Sequence, residues 1–290
     1  MSPVTFEDRS VLTRASAGTM QANVFRAPGR FGLETRPVPR AGPGDAVIRV
    51  RLTSICGTDV HIVRGEHPVK PGLVVGHEAV GVVHELGEGV TGFRTGQRVV
   101  AGANTFCGQC GPCLGVNEGP CDSGLGGWKL GNTMDGTQAE YALVPQALTN
   151  LAPVPASLSD EDVILLTDIA TTGFGAAESG DVRIGDSVAV FGQGPIGLCA
   201  TQGAKLLGAA RLIVVEPLES RREVAKRFGA THAIPPGGDL VGRIWELTGG
   251  RGVDVAIEAI GLQETFESAL RVTRRGGTVS SVGVSYGHVR

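Results

Sequence analysis

The sequence predicts an α/β protein with a β-rich first part and a parallel, doubly wound sheet in the second. Short, partly alternating apolar runs separated by glycine turns continue to about Leu151, as half-buried strands do. From Ser187 onward, an apolar run, a glycine turn and a helical pattern follow one another repeatedly. That rhythm is typical of a parallel sheet with crossover helices. The 45 glycines, about twice the average share, lie mostly at the turns between these runs.

The first part contains several strand patterns but no long helical pattern, so we expect an all-β, barrel-like unit. Its strand candidates are residues 45–52, 79–86 and 98–101. Ser157, Ser159 and the acidic residues 160–162 then mark a helix start. We expect the helix to continue through 163–166 and to link the two parts.

The second part alternates strands and helices. The predicted strands are 187–191, 211–216, 253–257 and 277–284, and the predicted helices are 196–207, 218–228 and about 263–273. We therefore divide the chain into residues 1–19, 20–170 and 171–290. Residues 1–19 are polar and precede Met20, so they are interpreted as a disordered extension or as the result of an alternative start.

Composition excludes several functions. A net charge of -3 without a dense Lys/Arg run argues against nucleic acid as the main partner. No apolar run approaches the roughly 18 residues that a membrane span needs, and the first nineteen residues contain no apolar core of a secretory signal. We expect a cytoplasmic protein without a membrane partner.

The predicted phosphate loop follows the first strand of the second part. Residues 192–197 fit the pattern G-x-G-x-x-G between a strand and a helix, where glycines and a helix N-terminus accommodate a pyrophosphate. Its members are Gly192, Gly194, Pro195, Ile196 and Gly197. Glu216 ends the next strand, where a carboxylate would accept hydrogen bonds from the adenosine ribose hydroxyls and repel a 2′-phosphate. This favours NAD over NADP, although the neighbouring Arg221 and Arg222 keep NADP possible. The alternative is a tight turn without a ligand.

Four of the six cysteines are clustered with the spacing C-x2-C-x2-C-x7-C. They are Cys107, Cys110, Cys113 and Cys121. Four thiolates so close in sequence can reach one tetrahedral ion without an open position, which predicts a structural zinc. Without a secretion signal, metal ligation is a better interpretation than disulfides or reduced surface cysteines.

Residues 56–61 combine a thiol, a hydroxyl, a carboxylate and an imidazole. Cys56 and the later His77 form a plausible zinc pair, and a catalytic zinc needs a third protein ligand and an open position. The residues themselves leave that third ligand open. Taken singly, each of the two has an ordinary structural interpretation, as a small buried thiol or as a satisfied histidine.

The chain resembles the zinc-dependent alcohol dehydrogenases of the medium-chain dehydrogenase/reductase superfamily over about residues 20–284. The motifs that carry the resemblance are residues 56–61, 76–78, the four cysteines, 192–197, 252–254 and 258–259. Residues 127–129 and 168–174 further resemble the bacterial secondary-alcohol (isopropanol-type) branch, which often lacks the structural zinc. The resemblance implies a GroES-like β-barrel catalytic domain followed by a Rossmann cofactor domain, with two zinc ions per chain.

The resemblance also implies site roles. Cys56, His77 and Asp168 would ligate the catalytic zinc, and Glu78 would lie beside it. Asp59 would orient the ligand His77 without itself binding the zinc. Thr58 would hydrogen-bond the substrate oxygen and His61 would pass the proton onward. Trp128 would line the substrate pocket and Thr172 would approach the nicotinamide. In the isopropanol branch the NADP-binding triplet begins with glycine where this chain has Glu216, which supports NAD.

The implied activity is the reversible oxidation of a primary or secondary alcohol to an aldehyde or ketone, with hydride transfer to NAD. The resemblance also implies a homodimer or homotetramer in the full-length form. Family members generally continue for some tens of residues beyond the last predicted strand, so we expect a chain truncated at its C-terminus. The alternative function is therefore a zinc- and nucleotide-binding fragment, or a partner subunit, with little or no turnover.

Overall fold

The structure, a computed structural model, describes residues 18–116 and 119–285. The chain divides into two compact units, of which the first ends at Asp168 and the second begins at Ile169. The predicted boundary at 170/171 lies two residues later. Most of the expected N-terminal extension lies outside the described residues, and Thr19, its last member, already begins the first strand.

The first unit is built on a five-stranded antiparallel sheet in the order β8-β3-β4-β5-β9. A hairpin of β1 and β2 joins it through bridges from Ala22 to Ala139 and from Val24 to Val74. Aliphatic side chains of the sheet, mostly alanine and valine, form its main core. Ile48 and Val99 in this core are fully buried. The elements are β1 Thr19–Ala27, β2 Arg30–Pro37, β3 Ala46–Thr53, α1 Gly57–Val63, β4 Ala79–Leu86, β5 Arg98–Ala101, β6 Asn104–Thr105, β7 Gly127–Trp128, β8 Tyr141–Val144, α2 Ala147–Asn150, β9 Leu151–Pro153 and α3 Asp160–Val163.

The helical content of this unit differs from the prediction. Helix α1 was not expected, because its seven residues are too short to show a helical period. The predicted helix start at Ser159 is confirmed, since its hydroxyl accepts a hydrogen bond from the amide of Asp162. The predicted continuation through 163–166 is wrong in type: α3 ends at Val163 and a 3-10 turn, Ile164–Thr167, follows. That turn is held by a hydrogen bond from the Thr167 hydroxyl to the carbonyl of Ile164.

The second unit confirms the predicted parallel, doubly wound sheet. Its strand order is β12-β11-β10-β13-β14, the arrangement in which dinucleotides bind where the strand order reverses. Alternate strand residues face two separate cores. Val188 and Leu212 belong to one, with α4 and α5, and Ala189 and Ile213 to the other, with α7 and α8. The elements are α4 Ile169–Ser179, β10 Ser187–Phe191, α5 Pro195–Leu206, β11 Arg211–Val215, α6 Glu219–Arg227, β12 His232–Ile234, α7 Leu240–Leu247, β13 Val253–Glu258, α8 Gln263–Val272 and β14 Thr273–Ser281.

One predicted strand is displaced. We expected the last strand over 277–284, but β14 ends at Ser281. The amides of Val282 and Gly283 donate to the carbonyl of Glu258, at 2.9 and 3.1 Å, and the chain turns there. Helices α4 and α7 and strand β12 were not expected. Within the described residues, no helix is long and apolar enough to cross a bilayer.

Candidate metal and cofactor sites

One cluster of metal-binding groups lies in the first unit. Cys56 precedes α1, His77 and Glu78 precede β4, and Asp168 follows the 3-10 turn. One ligand atom from each of the four lies within 4.8 Å of every other. His77 Nε2 is 3.4 Å from Asp168 Oδ2 and 3.8 Å from Glu78 Oε1. The structure therefore brings Cys56 and His77 together with both carboxylates.

The segment before His77 is closely packed. Gly76 has φ +92°, and a Cβ there would lie 2.5 Å from the Cγ of Gln138 and 2.8 Å from the backbone nitrogen of the same residue. Only glycine fits this position without displacing backbone. The close approach holds His77 and Glu78 in the interior, where they are 4% and 1% exposed.

The cluster has the electrostatics of a cation site. Burial by itself lowers the pKa of His77, but hydrogen bonds with Asp168 and Cys56 and the charge of Asp59 outweigh it and raise the pKa to about 10. Burial raises the pKa of Glu78, an effect partly offset by the hydroxyl of Ser54, which donates to Oε2 at 2.5 Å. Glu78 Oε1 is buried and has no hydrogen-bond partner among the residues that the structure describes. An ion of double positive charge would satisfy this oxygen and balance the acidic ligands.

Asp59 supports the cluster from the first turn of α1. Its Oδ2 accepts hydrogen bonds from the amide of Cys56, at 2.9 Å, and from the side chain of Gln138, at 3.2 Å. Burial raises the pKa of Asp59, and the amides of Cys56 and Gly76 oppose that rise. Asp59 thus holds the backbone next to both Cys56 and His77. The ring Nδ1 of His77 has no hydrogen-bond partner among the described residues, so no direct bond joins the carboxylate to the ring.

Trp128 lies against this cluster. Its indole meets the ring of His77 edge to face, with centroids 5.5 Å apart, and the ring of His67 on another side at 4.9 Å. The indole Nε1 donates to the carbonyl of Leu130 at 2.7 Å. Asn132 joins His67 to the Trp128 carbonyl through two hydrogen bonds of 3.1 Å. These contacts hold the indole ring in place beside the metal-binding groups.

Thr58 and His61 lie on the same short helix. The hydroxyl oxygen of Thr58 is 3.6 Å from the sulfur of Cys56. The Nδ1 of His61 lies 2.5 Å from a carboxylate oxygen of Glu66, and a third of the His61 side chain is exposed. The imidazole is held by Glu66 and reaches water, as a proton-transfer group requires.

A second cluster consists of the four cysteines of the 107–121 segment, which we call the cysteine lobe. All four sulfurs lie within 4.8 Å of one another and none forms a disulfide. The hydroxyl of Ser123, with amides of Cys107 and Ser123, lowers the pKa of Cys121 to about 6. Cys113 behaves oppositely: the Gly108 amide favours its thiolate, but desolvation and the other three thiols raise its pKa to about 11. Four sulfurs that compete for protons match a tetrahedral zinc site.

The cofactor features lie in the second unit. The predicted loop 192–197 joins β10 to α5, with Gly194 preceding the helix and Pro195 in its first turn. Glu216 follows β11 and is 2% exposed. Its carboxylate accepts from the amides of Gln193, at 2.8 Å, and Leu218, at 3.0 Å. It therefore lies directly at the loop, as a ribose-binding acid does.

The two arginines near Glu216 differ. Arg222 donates through one nitrogen to the carbonyls of Glu216 and Pro217, both at 2.7 Å. Arg221 is half exposed and lies 4.0 Å from the Glu216 carboxylate. Thr172 lies in the first turn of α4.

Sequence reasoning missed several supporting residues. Ser54, Gln138, Glu66 and His67 each contact a predicted site residue. None belongs to a recognisable motif, because each acts through a contact made by folding. Gln138 has no local signal at all, since it reaches Asp59 from a distant segment.

A β-rich unit in which a thiol, a buried imidazole and carboxylates meet, followed by a glycine-loop parallel sheet, defines a class: metal-dependent dehydrogenases that bind a dinucleotide. Comparison with known proteins agrees with this class. Residues 42–156 match the alcohol dehydrogenase GroES-like domain, and residues 195–290 match the zinc-binding dehydrogenase domain.

Individual relatives agree as well. The chain is 50% identical over 280 residues to an alcohol dehydrogenase of Cupriavidus necator, covering 91% of this chain and 76% of the relative. It is 37% identical over 256 residues to the NADP-dependent isopropanol dehydrogenase of Thermoanaerobacter brockii, covering 88% and 73%. The apo structure of zinc dependent alcohol dehydrogenase 2 from Streptococcus pneumonia superposes with a TM-score of 0.87 at 37% identity, covering 93% of this chain and 78% of that one. The chain belongs to the zinc-type alcohol dehydrogenase family of the medium-chain dehydrogenase/reductase superfamily.

Proposed function

We propose that this chain oxidises a primary or secondary alcohol to an aldehyde or ketone, reversibly, with hydride transfer to NAD. The observation that carries the proposal is the convergence of Cys56, His77, Glu78 and Asp168 on one point. Their mixture of sulfur, nitrogen and oxygen donors suits zinc. Glu78 Oε1, which no described residue hydrogen-bonds, fits a cation. When bound, zinc supplies a Lewis acid that lowers the pKa of an alcohol.

The chain's own residues would then handle the substrate and its proton. Trp128 bounds the space beside His77, and its indole would exclude water from a substrate bound there. The Thr58 hydroxyl, next to Cys56, is placed to hydrogen-bond a substrate oxygen. His61, oriented by Glu66 and partly exposed, is suited to pass the released proton to water. We assign a second zinc to the cysteine lobe, where it would hold a loop poor in apolar core.

Glu216 supports NAD as the hydride acceptor. A buried carboxylate beside the glycine loop offers acceptors to ribose hydroxyls and opposes a 2′-phosphate. Arg222 is already committed to backbone carbonyls, so it offers less to a phosphate. The relative from Thermoanaerobacter brockii is named as NADP-dependent, which makes cofactor preference a direct test.

Turnover is tested by incubating the purified chain with zinc and NAD, then with 2-propanol or a primary alcohol, and following NADH absorbance. We expect NADH formation that depends on the alcohol. Tight NAD binding without turnover would contradict the proposal and favour the second candidate, a binding fragment or partner subunit.

Cofactor preference is tested by replacing Glu216 with glycine. The ratio of kcat/KM for NADP to that for NAD should rise at least about tenfold, equivalent to ~1.4 kcal/mol. Glu216→Gln is the matched control, because it keeps the side-chain size and removes only the charge. It should change the ratio in the same direction. An unaltered ratio in both variants would exclude the ribose role of Glu216.

A further inference from the structure

A second buried carboxylate lies across the glycine loop from Glu216. Phe191, Glu258 and Ser281 are in register at the carboxyl ends of β10, β13 and β14. Phe191 leads into the glycine loop, and Glu258 leads into residues 259–262. Ser281 ends β14 and leads into residues 282–284. Glu258 is 1% exposed and belongs to none of the roles assigned above.

The carboxylate of Glu258 is held entirely by uncharged donors. Oε1 accepts from the amides of Ile260 and Gly261, both at 2.9 Å, and from the hydroxyl of Thr265 at 2.8 Å. Oε2 accepts from Gly261 at 3.1 Å and from the hydroxyl of Ser281 at 3.4 Å. Within the described residues, Glu258 forms no salt bridge. Burying a carboxylate without a charged partner is costly, and here donors on the segments that the side chain holds in place offset that cost.

Glu258 links two segments that lie about twenty residues apart in the sequence. Residues 259–262 follow β13, and residues 281–284 consist of the last residue of β14 and the three residues after it. Besides the side-chain bonds, the Glu258 carbonyl accepts from Val282 and Gly283. A Cβ on Gly283 would lie 2.1 Å from the amide of Gly261 and 2.5 Å from Glu258 Oε2. The two segments are therefore in direct contact, with the carboxylate between them.

These segments adjoin the glycine loop and present apolar side chains. The amide of Ala259 donates to the carbonyl of Phe191 at 3.1 Å, and Ile260 packs directly against Gly192. Ile260, Leu262 and Val284 are 37%, 58% and 49% exposed. Exposed apolar groups at the carboxyl edge of an open sheet suit the flat face of a bound ring.

We propose that Glu258 is a positioning residue for the nicotinamide half of the dinucleotide, because it holds residues 259–262 and 281–284 together beside the glycine loop. Glu216 would bind the adenosine half on the other side of that loop. The inference rests on the proposed function, since it presumes that the ligand is a nicotinamide dinucleotide.

The test compares two ligands that differ only in the half concerned. NADH carries both halves, whereas ADP-ribose has the adenosine, the pyrophosphate and the second ribose and lacks only the nicotinamide ring. Dissociation constants of both are measured for the unsubstituted chain and for Glu258→Gln, which keeps the side-chain volume but places an amide NH2 against backbone donors. We expect NADH binding to weaken about 10- to 100-fold, since small misplacements of a bound group have effects of that size. ADP-ribose binding should remain within about twofold, because no contact to that half is altered.

The matched control is Asp254→Asn, at the opposite end of the same strand. Asp254 accepts from the amide of Ser187 at 2.8 Å and from Arg274 at 2.6 Å, so it anchors the sheet but lies far along β13 from Glu258. This variant should lower thermal stability without changing the NADH to ADP-ribose affinity ratio. If Glu258→Gln does not fold, Ser281→Ala removes one donor only and should shift the same ratio in the same direction.

The outcomes separate the two proposals. Failure of the unsubstituted chain to bind NADH would overturn the proposed function and this inference with it. Suppose instead that the unsubstituted chain binds NADH. If Glu258→Gln then loses affinity for both ligands equally, or for neither, the inference alone is overturned. Selective loss of NADH affinity, together with a fall in kcat for alcohol oxidation, would support it.

Discussion

The two candidate metal sites are built in opposite ways. The cysteine lobe draws all its ligands from residues 107–121, and each ligand is partly exposed. The mixed site draws its ligands from positions between 56 and 168, and its His77 and Glu78 are buried. The lobe contains little apolar core, whereas the mixed site is framed by strands, by α1 and by the Trp128 ring. From this difference we propose that a bound metal would stabilise the lobe, whereas the folded unit would preorganise the mixed site.

The largest effect should follow from Cys56→Ser. A serine hydroxyl is a poorer zinc ligand than a thiolate, because it remains protonated near neutral pH. Since loss of groups that merely support ligands costs about 10- to 100-fold, loss of a ligand should reduce turnover by more than about 100-fold. Zinc content should fall by one ion per chain while the thermal midpoint changes little. Cys199→Ala, which removes a buried thiol outside both clusters, should leave zinc content and turnover unchanged; a loss of turnover there would undermine the comparison.

A smaller effect is expected for Glu78→Gln. The substitution removes negative charge from a buried carboxylate, one oxygen of which has no hydrogen-bond partner in the described part of the chain. Zinc affinity of the mixed site should therefore fall about 10- to 100-fold. Competition with a chromogenic chelator measures that affinity. Glu85→Gln provides the control, because Glu85 lies on β4, the strand that follows Glu78, and pairs with Arg40 instead. Equal affinities in the two variants would show that Glu78 contributes nothing to the site.

The smallest effect on turnover should come from Cys110→Ser. This change removes a ligand of the lobe, so one zinc should be lost and the thermal midpoint should fall by roughly 5 to 10 °C, at about 2–4 °C per kcal/mol for a domain of this size. Turnover per folded molecule at low temperature should remain near the original value. Differential scanning calorimetry and an initial-rate assay distinguish the two quantities. A collapse of turnover without a change in stability would mean that the lobe, and not the mixed site, carries the chemistry.

Local patterns predicted much of the fold. Strands β4, β5 and β10 have the predicted bounds, because period-two alternation or an apolar run between glycine turns reflects the strand itself. The sequence did not predict helix α1 or strand β12, because elements this short have too few residues to show a period. The end of β14 was misplaced for another reason. The Glu258 carbonyl accepts hydrogen bonds from the amides of Val282 and Gly283, and no local sequence pattern predicts such bonds.

The candidate sites divide in the same way. The spacing of the four cysteines and the loop 192–197 with Glu216 could be read directly, because their members lie close together in sequence or follow consecutive strands. The third ligand of the mixed site could not be chosen from spacing. The resemblance to a known family implied Asp168, and the structure places it 3.4 Å from His77.

The sequence by itself determined the two-part organisation, the parallel sheet, the cysteine lobe and the acidic residue at the glycine loop. Each depends on periodicity or on ligands separated by a few residues, where the geometry of the chain leaves few alternatives. Only the tertiary structure decided that Glu78 and Asp168 meet Cys56 and His77, that Trp128 lies against His77, and that Glu258 joins two loops. Those contacts join distant segments, and their positions depend on the packing of whole strands rather than on any short stretch of sequence.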